Sequence, residues 1–314
     1  MAQSEIKKEK LNIEMISWGK IQWMDIAPPT EKETEYLSKN YSFHPLDLDD
    51  TLSKKQRPKI DEYKDYLFFV FHFPIYRKEE RVLTTSQLSV FISSNYLITL
   101  HNNELKPLVK LFKECQIDEE SLKEYLNQGP AYLLYRILDR LVDYCLPMLD
   151  KVGDGIEDVE KLIFSRRQRG AIRGISWLRR DVIAFRRIIW PMRAVIGSLE
   201  PKIRRYTEVE LPVYFGDVVD HLDKIWDGLD EYKEIIEGLS DTYDSLATNR
   251  TNEVVRILTI FATVMLPVTV VASIYGMNIE LPFMHSDYAL IYVFLVMLVI
   301  IVGILYFLRR IRVI

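Results

Sequence analysis

The stretch ILTIFATVMLPVTVVASIYGMNI (Ile257–Ile279) decides the fold, because it contains no charged residue. A second uncharged stretch, YALIYVFLVMLVIIVGILYFL (Tyr288–Leu308), follows after a short link. About 20 apolar residues in a helix cross a hydrocarbon core of about 30 Å. We therefore predict two membrane spans, the uncharged part of a helix at residues 251–278 and a helix at residues 288–308. A pair of buried core helices is the alternative interpretation.

The positive charges predict the orientation of these spans. Arginines precede the first span and follow the second, whereas the link at residues 279–287 has no Lys or Arg and contains Glu280. Because Lys and Arg stay on the cytoplasmic side, both termini, including the basic tail at 309–314, are predicted to be cytoplasmic. We expect an integral protein of the plasma (inner) membrane. Its short external loop at 279–287 would attract cations through Glu280.

The residues before the spans predict two further domains. Residues 1–120 combine strand-like stretches with short helical ones, which indicates an α/β domain. The strands are predicted at Leu11–Ile26, Asp65–Phe73 and Gln87–Leu100 (with a turn at Ser93–Asn95), and the helices at Thr30–Asn40 and Leu105–Cys115. Residues 121–250 show helical spacing, with tracts at Tyr132–Phe164, from Gly174 to Leu199 and from Pro212 onward. A continuous helix from Asp217 to Tyr275 would be about 90 Å long. The predicted fold is an α/β cytoplasmic domain, a long all-α stalk and a two-helix transmembrane hairpin.

Composition and motifs exclude several classes of protein. The chain has 314 residues with 41 Lys+Arg against 45 Asp+Glu, a net charge of −4 that argues against a nucleic-acid partner. Its two cysteines form no CxxC pair, which argues against a disulfide framework. It has no GxxxxGK[ST], GxSxG or HExxH motif, so we do not expect an enzyme.

Two charged stripes precede the first span. Eight arginines lie in Arg166–Arg187, and ten acids lie in Asp217–Asp244. One interpretation is that both stripes are helix faces that are solvated or paired with each other. The other is that the acidic face concentrates cations.

Three stretches carry a family resemblance. TNEVVRILTIFATVMLPVTVVASIYGMN (Thr251–Asn278) resembles, along its whole length, the pore helix of the CorA family of magnesium and cobalt transporters. HPLDLDD (His44–Asp50), followed by QRPK (Gln56–Lys59), and IWPMR (Ile189–Arg193) resemble further elements of that family. The resemblance implies a homopentameric funnel, in which the stalk helix continues into the pore and the second spans form an outer ring.

The resemblance implies that Gly276, Met277 and Asn278 form a selectivity filter. Five Asn278 carboxamides would hold a hydrated Mg²⁺, an ion that releases its waters reluctantly. A helix C-cap is the alternative role of Asn278. The link reads Ile279-Glu-Leu-Pro-Phe-Met284 instead of the Met-Pro-Glu-Leu of many members, which leaves the preferred cation open.

A spacing of three or four residues along the first span predicts a pore-facing stripe. The stripe consists of Asn252, Val255, Leu258 (or Thr259), Ala262, Leu266, Thr269 and Ser273. Leu258 and Leu266 would form apolar rings that close the pore by excluding water. Simple helix packing is the alternative, and the resemblance supports the pore role for Asn252, Leu258, Leu266 and Thr269.

The resemblance also implies a regulatory metal site between subunits. Asp50 aligns with a family acid that faces Asp217 of the neighbouring subunit, and Asp49 lies beside it. Mg²⁺ bridging these carboxylates would hold the ring closed, and its loss would let their repulsion open the pore. An ordinary helix cap or surface acid is the alternative role of Asp50 and Asp217.

The function expected from these features is a passive channel for divalent cations, Mg²⁺ first and also Co²⁺ and Ni²⁺. Uptake would be driven by the membrane potential and gated by intracellular Mg²⁺, so that Mg²⁺ is both transported and regulatory, without an organic cofactor. The expected partners are further copies of the chain, divalent cations and membrane lipid. The alternatives are a zinc or other transition-metal transporter of the same fold, and a membrane-anchored sensing or interaction protein that conducts nothing.

Overall fold

A computed structural model describes residues 11–53, 56–77, 80, 82–165, 170–206, 211–277 and 288–311. The chain divides into two compact units, Met1–Leu239 and Ser240–Ile314, and each is described by itself.

The first unit is built on a mixed sheet. Its strands are β1 (Ile13–Trp18), β2 (Ile21–Ile26), β3 (Lys59–Glu62), β4 (Leu67–Arg77), β5 (Val82–Ile92) and β6 (Tyr96–His101). Their order is β1-β2-β6-β5-β4-β3. Neighbouring strands are antiparallel except β2 and β6, which run parallel with Trp23 opposite Leu97. Strands occupy all three predicted stretches, and the predicted turn separates β5 from β6.

Two details of this sheet differ from the sequence prediction. β3 was not predicted, and β4 runs past its predicted end at Phe73 despite Pro74. Pro74 lies opposite Thr85 of β5, whereas β3 pairs with β4 only between Leu67 and Val70. At Pro74, β4 therefore has no partner among the described strands on the side facing away from β5. The missing N–H of Pro74 is tolerated because this side of β4 is an edge of the sheet there.

Two helices and an aromatic cluster cover one face of the sheet. They are α1 (Glu31–Asn40), at the predicted position, and α2 (Pro45–Leu52). A capping box formed by Thr30 and Glu33 begins α1. Phe43, between the two helices, stacks on Phe91 of the sheet with ring centroids 4.1 Å apart. The core here therefore fixes the position of α2, the helix that carries Asp49 and Asp50.

All remaining α-helices of the described chain follow β6. They are α3 (Lys106–Ile117), α4 (Glu119–Leu126), α5 (Pro130–Asp143), α6 (Leu146–Phe164), α7 (Ala171–Gly197), α8 (Glu200–Ile203), α9 (Pro212–Tyr275) and α10 (Ala289–Arg310). The helical tract predicted at Tyr132–Phe164 is two helices, α5 and α6, separated at Tyr144 and Cys145. The continuous long helix is confirmed, because α9 contains 64 residues.

The two charged stripes partly pair with each other, as one interpretation of the sequence expected. Arg186 of α7 forms an ion pair with Asp230 of α9, and Arg193, six residues beyond the arginine stripe on the same helix, pairs with Asp223 of the acidic stripe. Trp226 lies beneath this contact, with its ring 4.3 Å from the Arg186 guanidinium. These contacts attach α7 to the first part of α9.

The second unit contains the apolar helices. The C-terminal part of α9 and most of α10 are long and apolar enough to cross a membrane, with mean hydropathies of 2.3 and 3.0. Neither apolar window is buried within the chain. Core helices of a soluble protein would be mostly buried, so this exposure favours membrane spans.

Candidate ion pathway and regulatory carboxylates

α9 ends in a tight turn at the first residues of the predicted filter. The Gly276 N–H donates to the Ala272 oxygen at 3.0 Å, and the Met277 N–H donates to the Ile274 oxygen at 3.2 Å. A β-carbon at Gly276 would lie only 3.3 Å from the Ala272 oxygen, so the turn favours glycine. The Met277 side chain is exposed. Asn278 and Glu280, the other predicted residues of the mouth, lie outside the described residues.

The predicted pore stripe is exposed along α9. Val255, Leu258 and Leu266 expose 54%, 62% and 66% of their surface, and Asn252 and Thr269 are exposed as well. The Thr269 hydroxyl donates to the Met265 carbonyl oxygen at 2.9 Å, which satisfies it within the helix. The stripe is therefore available to face a pore, lipid or another copy of the chain.

The other side of the same helix is partly covered. The partly covered residues are Ile260, Val264, Pro267, Val268, Val271 and Tyr275. At 3.6 residues per turn, their centre lies about half a turn from the centre of the predicted stripe. The exposed stripe and the covered face are thus opposite sides of one helix.

α10 shows the same pattern of partial cover. Its partly covered residues are Val293, Met297, Ile300, Ile301, Ile304 and Leu308. Their spacing of 4, 3, 1, 3 and 4 residues equals that of the covered face of α9. Two helices that pack along each other are expected to show matching stripes of this kind.

Asp50, predicted as a regulatory ligand, is engaged by its own subunit. Its Oδ2 lies 2.5 Å from the Lys59 ammonium, and its Oδ1 accepts from the Gln56 amide at 2.5 Å. Gln87 of β5 donates to the Asp50 backbone oxygen at 2.9 Å. The neighbouring Asp49 is exposed. Asp50 is therefore held in place by three donors, whereas the Asp49 side chain faces solvent.

Lys59 also contacts a second carboxylate, that of Asp61. Burial by itself would lower the pKa of Lys59, but its hydrogen bonds and ion pairs with Asp50 and Asp61 raise it to about 12. Asp47 completes the group, since carboxylate oxygens of Asp47, Asp50 and Asp61 all lie within 4.8 Å of one another.

Asp47 is the most buried of these acids. It accepts hydrogen bonds from the hydroxyls of Tyr66 at 2.9 Å and Tyr63 at 3.2 Å. Burial raises the pKa of Asp47 despite these two donors. Neither Asp47 nor Asp61 was predicted as a functional residue.

Asp217, the other predicted regulatory acid, lies in a different group of side chains. His221 Nε2 is 4.0 Å from its Oδ1, and His221 Nδ1 is 3.0 Å from Asp143 Oδ1 on α5. Asp139 joins Asp143 and His221 within 4.8 Å. Burial raises the pKa of Asp139, and the Asp143 carboxylate raises it further. Two carboxylates and an imidazole suit a divalent cation, and oxygen donors suit Mg²⁺.

The sequence contained a signal for this second group. Asp139 and Asp143 are four residues apart, as are Asp217 and His221, so each pair shares a helix face. Only the packing of α5 on α9 brings the two pairs together. For that reason Asp217 was predicted, through the family resemblance, but its neighbours were not.

The fold and the two exposed apolar helices define an integral membrane protein that has a large folded unit in addition to its spans. The chain belongs to the CorA-like Mg²⁺ transporter protein family, whose model matches residues 18–310. Membership in a family of transporters agrees with the expectation that the chain is not an enzyme.

Individual relatives agree with this assignment. The chain is similar to the cobalt/magnesium transport protein CorA of Thermotoga maritima, with 32% identity over 76% of this chain and 68% of the relative. It is 26% identical to the protein of the same name from Methanocaldococcus jannaschii, over 92% of this chain and 90% of the relative. The complete structure of the CorA magnesium transporter from M. jannaschii superposes with a TM-score of 0.81, covering 94% of this chain and 92% of that one.

Proposed function

We propose that the chain forms a homopentameric, passive channel that takes up Mg²⁺, and also Co²⁺ and Ni²⁺, with Gly276, Met277 and Asn278 as its selectivity filter. Membership of the CorA-like family supports the class of activity. A single chain with two spans cannot enclose a pore, so a channel requires several copies. The plasma (inner) membrane, with both termini cytoplasmic, is the proposed location.

The observation that carries this proposal is the two-sided character of α9. One face is partly covered, and the opposite face presents Asn252, Val255, Leu258, Leu266 and Thr269 without cover from the chain itself. In a ring of copies, the covered faces would turn outward to the second spans and the exposed stripes inward to a common axis. The membrane potential would then supply about 4.6 kcal/mol per 100 mV for an ion with two charges.

Uptake of Mg²⁺ into liposomes that contain a fluorescent indicator, at an imposed negative inside potential, tests the filter. Asn278→Ala is expected to abolish uptake, because the ring of carboxamide oxygens disappears. Asn127→Ala is the matched control, because it also removes an asparagine from the C-cap of a helix, α4, but one far from the filter in sequence. Uptake that persists in Asn278→Ala would contradict the filter role and favour the alternative role of Asn278 as a helix C-cap. Absence of any divalent flux in the folded, oligomeric wild type would favour a protein that conducts nothing, and flux of Zn²⁺ without Mg²⁺ would favour the zinc alternative.

A pair of threonines tests the stripe. Thr269 lies on the stripe and Thr263 does not, yet both hydroxyls donate to the carbonyl four residues earlier, at 2.9 and 2.8 Å. Loss of that local bond is therefore matched between Thr269→Ala and Thr263→Ala. Thr269→Ala is expected to change the uptake rate several-fold, with little change in Thr263→Ala. Equal effects would contradict the assignment of the pore face.

We further propose that intracellular Mg²⁺ inhibits the channel by binding between subunits at Asp49, Asp50 and Asp217. The exposure of Asp49 and Asp217 supports this role, because both carboxylates are accessible to a neighbouring copy. His221, Asp143 and Asp139 add donors beside Asp217. The double variant Asp50→Lys with Asp217→Lys is expected to conduct without inhibition by internal Mg²⁺, and undiminished inhibition would overturn this part of the proposal.

A further inference from the structure

We propose that Lys59 is a tethered cation that competes with the divalent ion for Asp50 and so sets the Mg²⁺ concentration at which the channel closes. This inference rests on the proposed regulatory role of Asp50. It adds a residue that determines the threshold of that regulation.

The contacts of Asp50 leave no carboxylate oxygen without a donor. Lys59 occupies Oδ2 and Gln56 occupies Oδ1, each at 2.5 Å, and the side chain is only 15% exposed. A divalent ion therefore reaches Asp50 only by displacing a donor or sharing an oxygen with it. Gln56 is neutral, so Lys59 supplies the opposing positive charge.

The backbone position of Lys59 places this competitor beside Asp50. Its backbone belongs to β3, where it lies opposite Val70 of β4. Its ammonium also lies 5.4 Å from the centre of the Phe68 ring, a cation–π contact. A group held in this way acts at a high effective concentration, unlike a free ion.

Asp61 gives the displaced ammonium a second partner. Lys59 contacts Asp50 and Asp61 together, so it can keep the Asp61 ion pair when a divalent ion takes Asp50. The geometry therefore predicts opposite effects of two substitutions. Removing the Lys59 charge should strengthen Mg²⁺ binding at Asp50, whereas removing the Asp61 charge should weaken it, because Lys59 is then left to Asp50.

The test is the concentration of internal Mg²⁺ that halves uptake through the full-length channel in liposomes. Lys59→Gln is expected to lower this concentration about threefold to tenfold, an electrostatic effect reduced by the partial exposure of the pair. Asp61→Asn is expected to raise it. Lys59→Arg keeps the charge, and Lys64→Gln removes one exposed charge five residues further along the chain, so both are expected to stay within about twofold of wild type. A Mg²⁺-dependent rise in Tm gives a second readout that does not depend on conduction.

Three outcomes distinguish the role of Lys59 from the proposed regulatory role of Asp50, on which it rests. A Mg²⁺ response that Asp50→Asn leaves unchanged overturns both. A response that changes in Asp50→Asn but not in Lys59→Gln overturns only the role of Lys59. An effect of Lys59→Gln that persists in the Asp50→Asn background also overturns it, because Lys59 would then act through another group.

Discussion

The two units of this chain differ in the exposure of similar apolar side chains. In the unit Met1–Leu239, Phe91 and Trp23 are completely buried. In the unit Ser240–Ile314, Phe294 exposes 69% of its surface and Leu258 exposes 62%. The first unit makes its own apolar interior, whereas the apolar side chains of the second are left for the membrane to cover. An apolar sequence therefore predicts that a surface is shielded from water. It does not predict whether the protein's own core or the membrane shields it.

The largest expected effect comes from a matched pair of phenylalanines. Phe91→Ala should lower the free energy of unfolding of the first unit by about 3 to 5 kcal/mol, because it opens a cavity among stacked rings. Phe294→Ala should change it little, since that ring is exposed on α10. Urea unfolding of the detergent-solubilised protein, followed by the fluorescence of its tryptophans, measures both. Equal destabilisation would remove the contrast between the two units.

A smaller effect is expected from the buried acid of the first unit. The raised pKa of Asp47 means that the folded chain binds its proton more tightly than the unfolded chain does. The stabilisation that protonated Asp47 gives the wild type is complete below pH 3.8, the ordinary pKa of an aspartate. It is lost as the pH rises through the raised pKa of the folded chain. The stability of Asp47→Asn relative to wild type should therefore increase with pH across that window and be constant on either side.

Unfolding curves at several pH values, with Mg²⁺ removed, measure this difference. Asp49→Asn is the control, since Asp49 is exposed on the same helix. A difference between Asp47→Asn and wild type that does not depend on pH would contradict the argument.

The smallest effect is expected from the charged helix faces. Arg186→Ala removes the ion pair with Asp230 and the contact with Trp226, and should cost about 1 kcal/mol or less. The loss should shrink in high salt because the pair is partly exposed. Arg187→Ala, at an exposed neighbouring position, should have no measurable effect. The same unfolding assay applies, and a larger loss in Arg187→Ala would show that the paired face had been misidentified.

Long periodic or uncharged segments were predictable, and short polar ones were not. The spans followed from two long uncharged runs, and the continuous α9 followed from a helical tract with no clear stop before the first span. β3 has only four residues, KIDE, with no alternating pattern, and exists because β4 offers an edge. α2 was not predicted, although its acids were singled out, because its first turn depends on Pro45 and on the cap made by His44.

The sequence alone predicted the two spans and the spacing of the pore-facing stripe, because these depend on local composition and helical periodicity, whereas the filter at Gly276, Met277 and Asn278 is what the family resemblance implies. Only the tertiary structure decided which charges meet. Asp50 and Lys59 are nine positions apart in sequence. They meet because the pairing of β3 with β4 places Lys59, and Gln87 of β5 holds the backbone of Asp50 on α2. Asp217 and Asp143 belong to separate helices, and His221 lies between them. An ion pair requires both partners within a few ångströms, and in a folded chain that distance is set by packing.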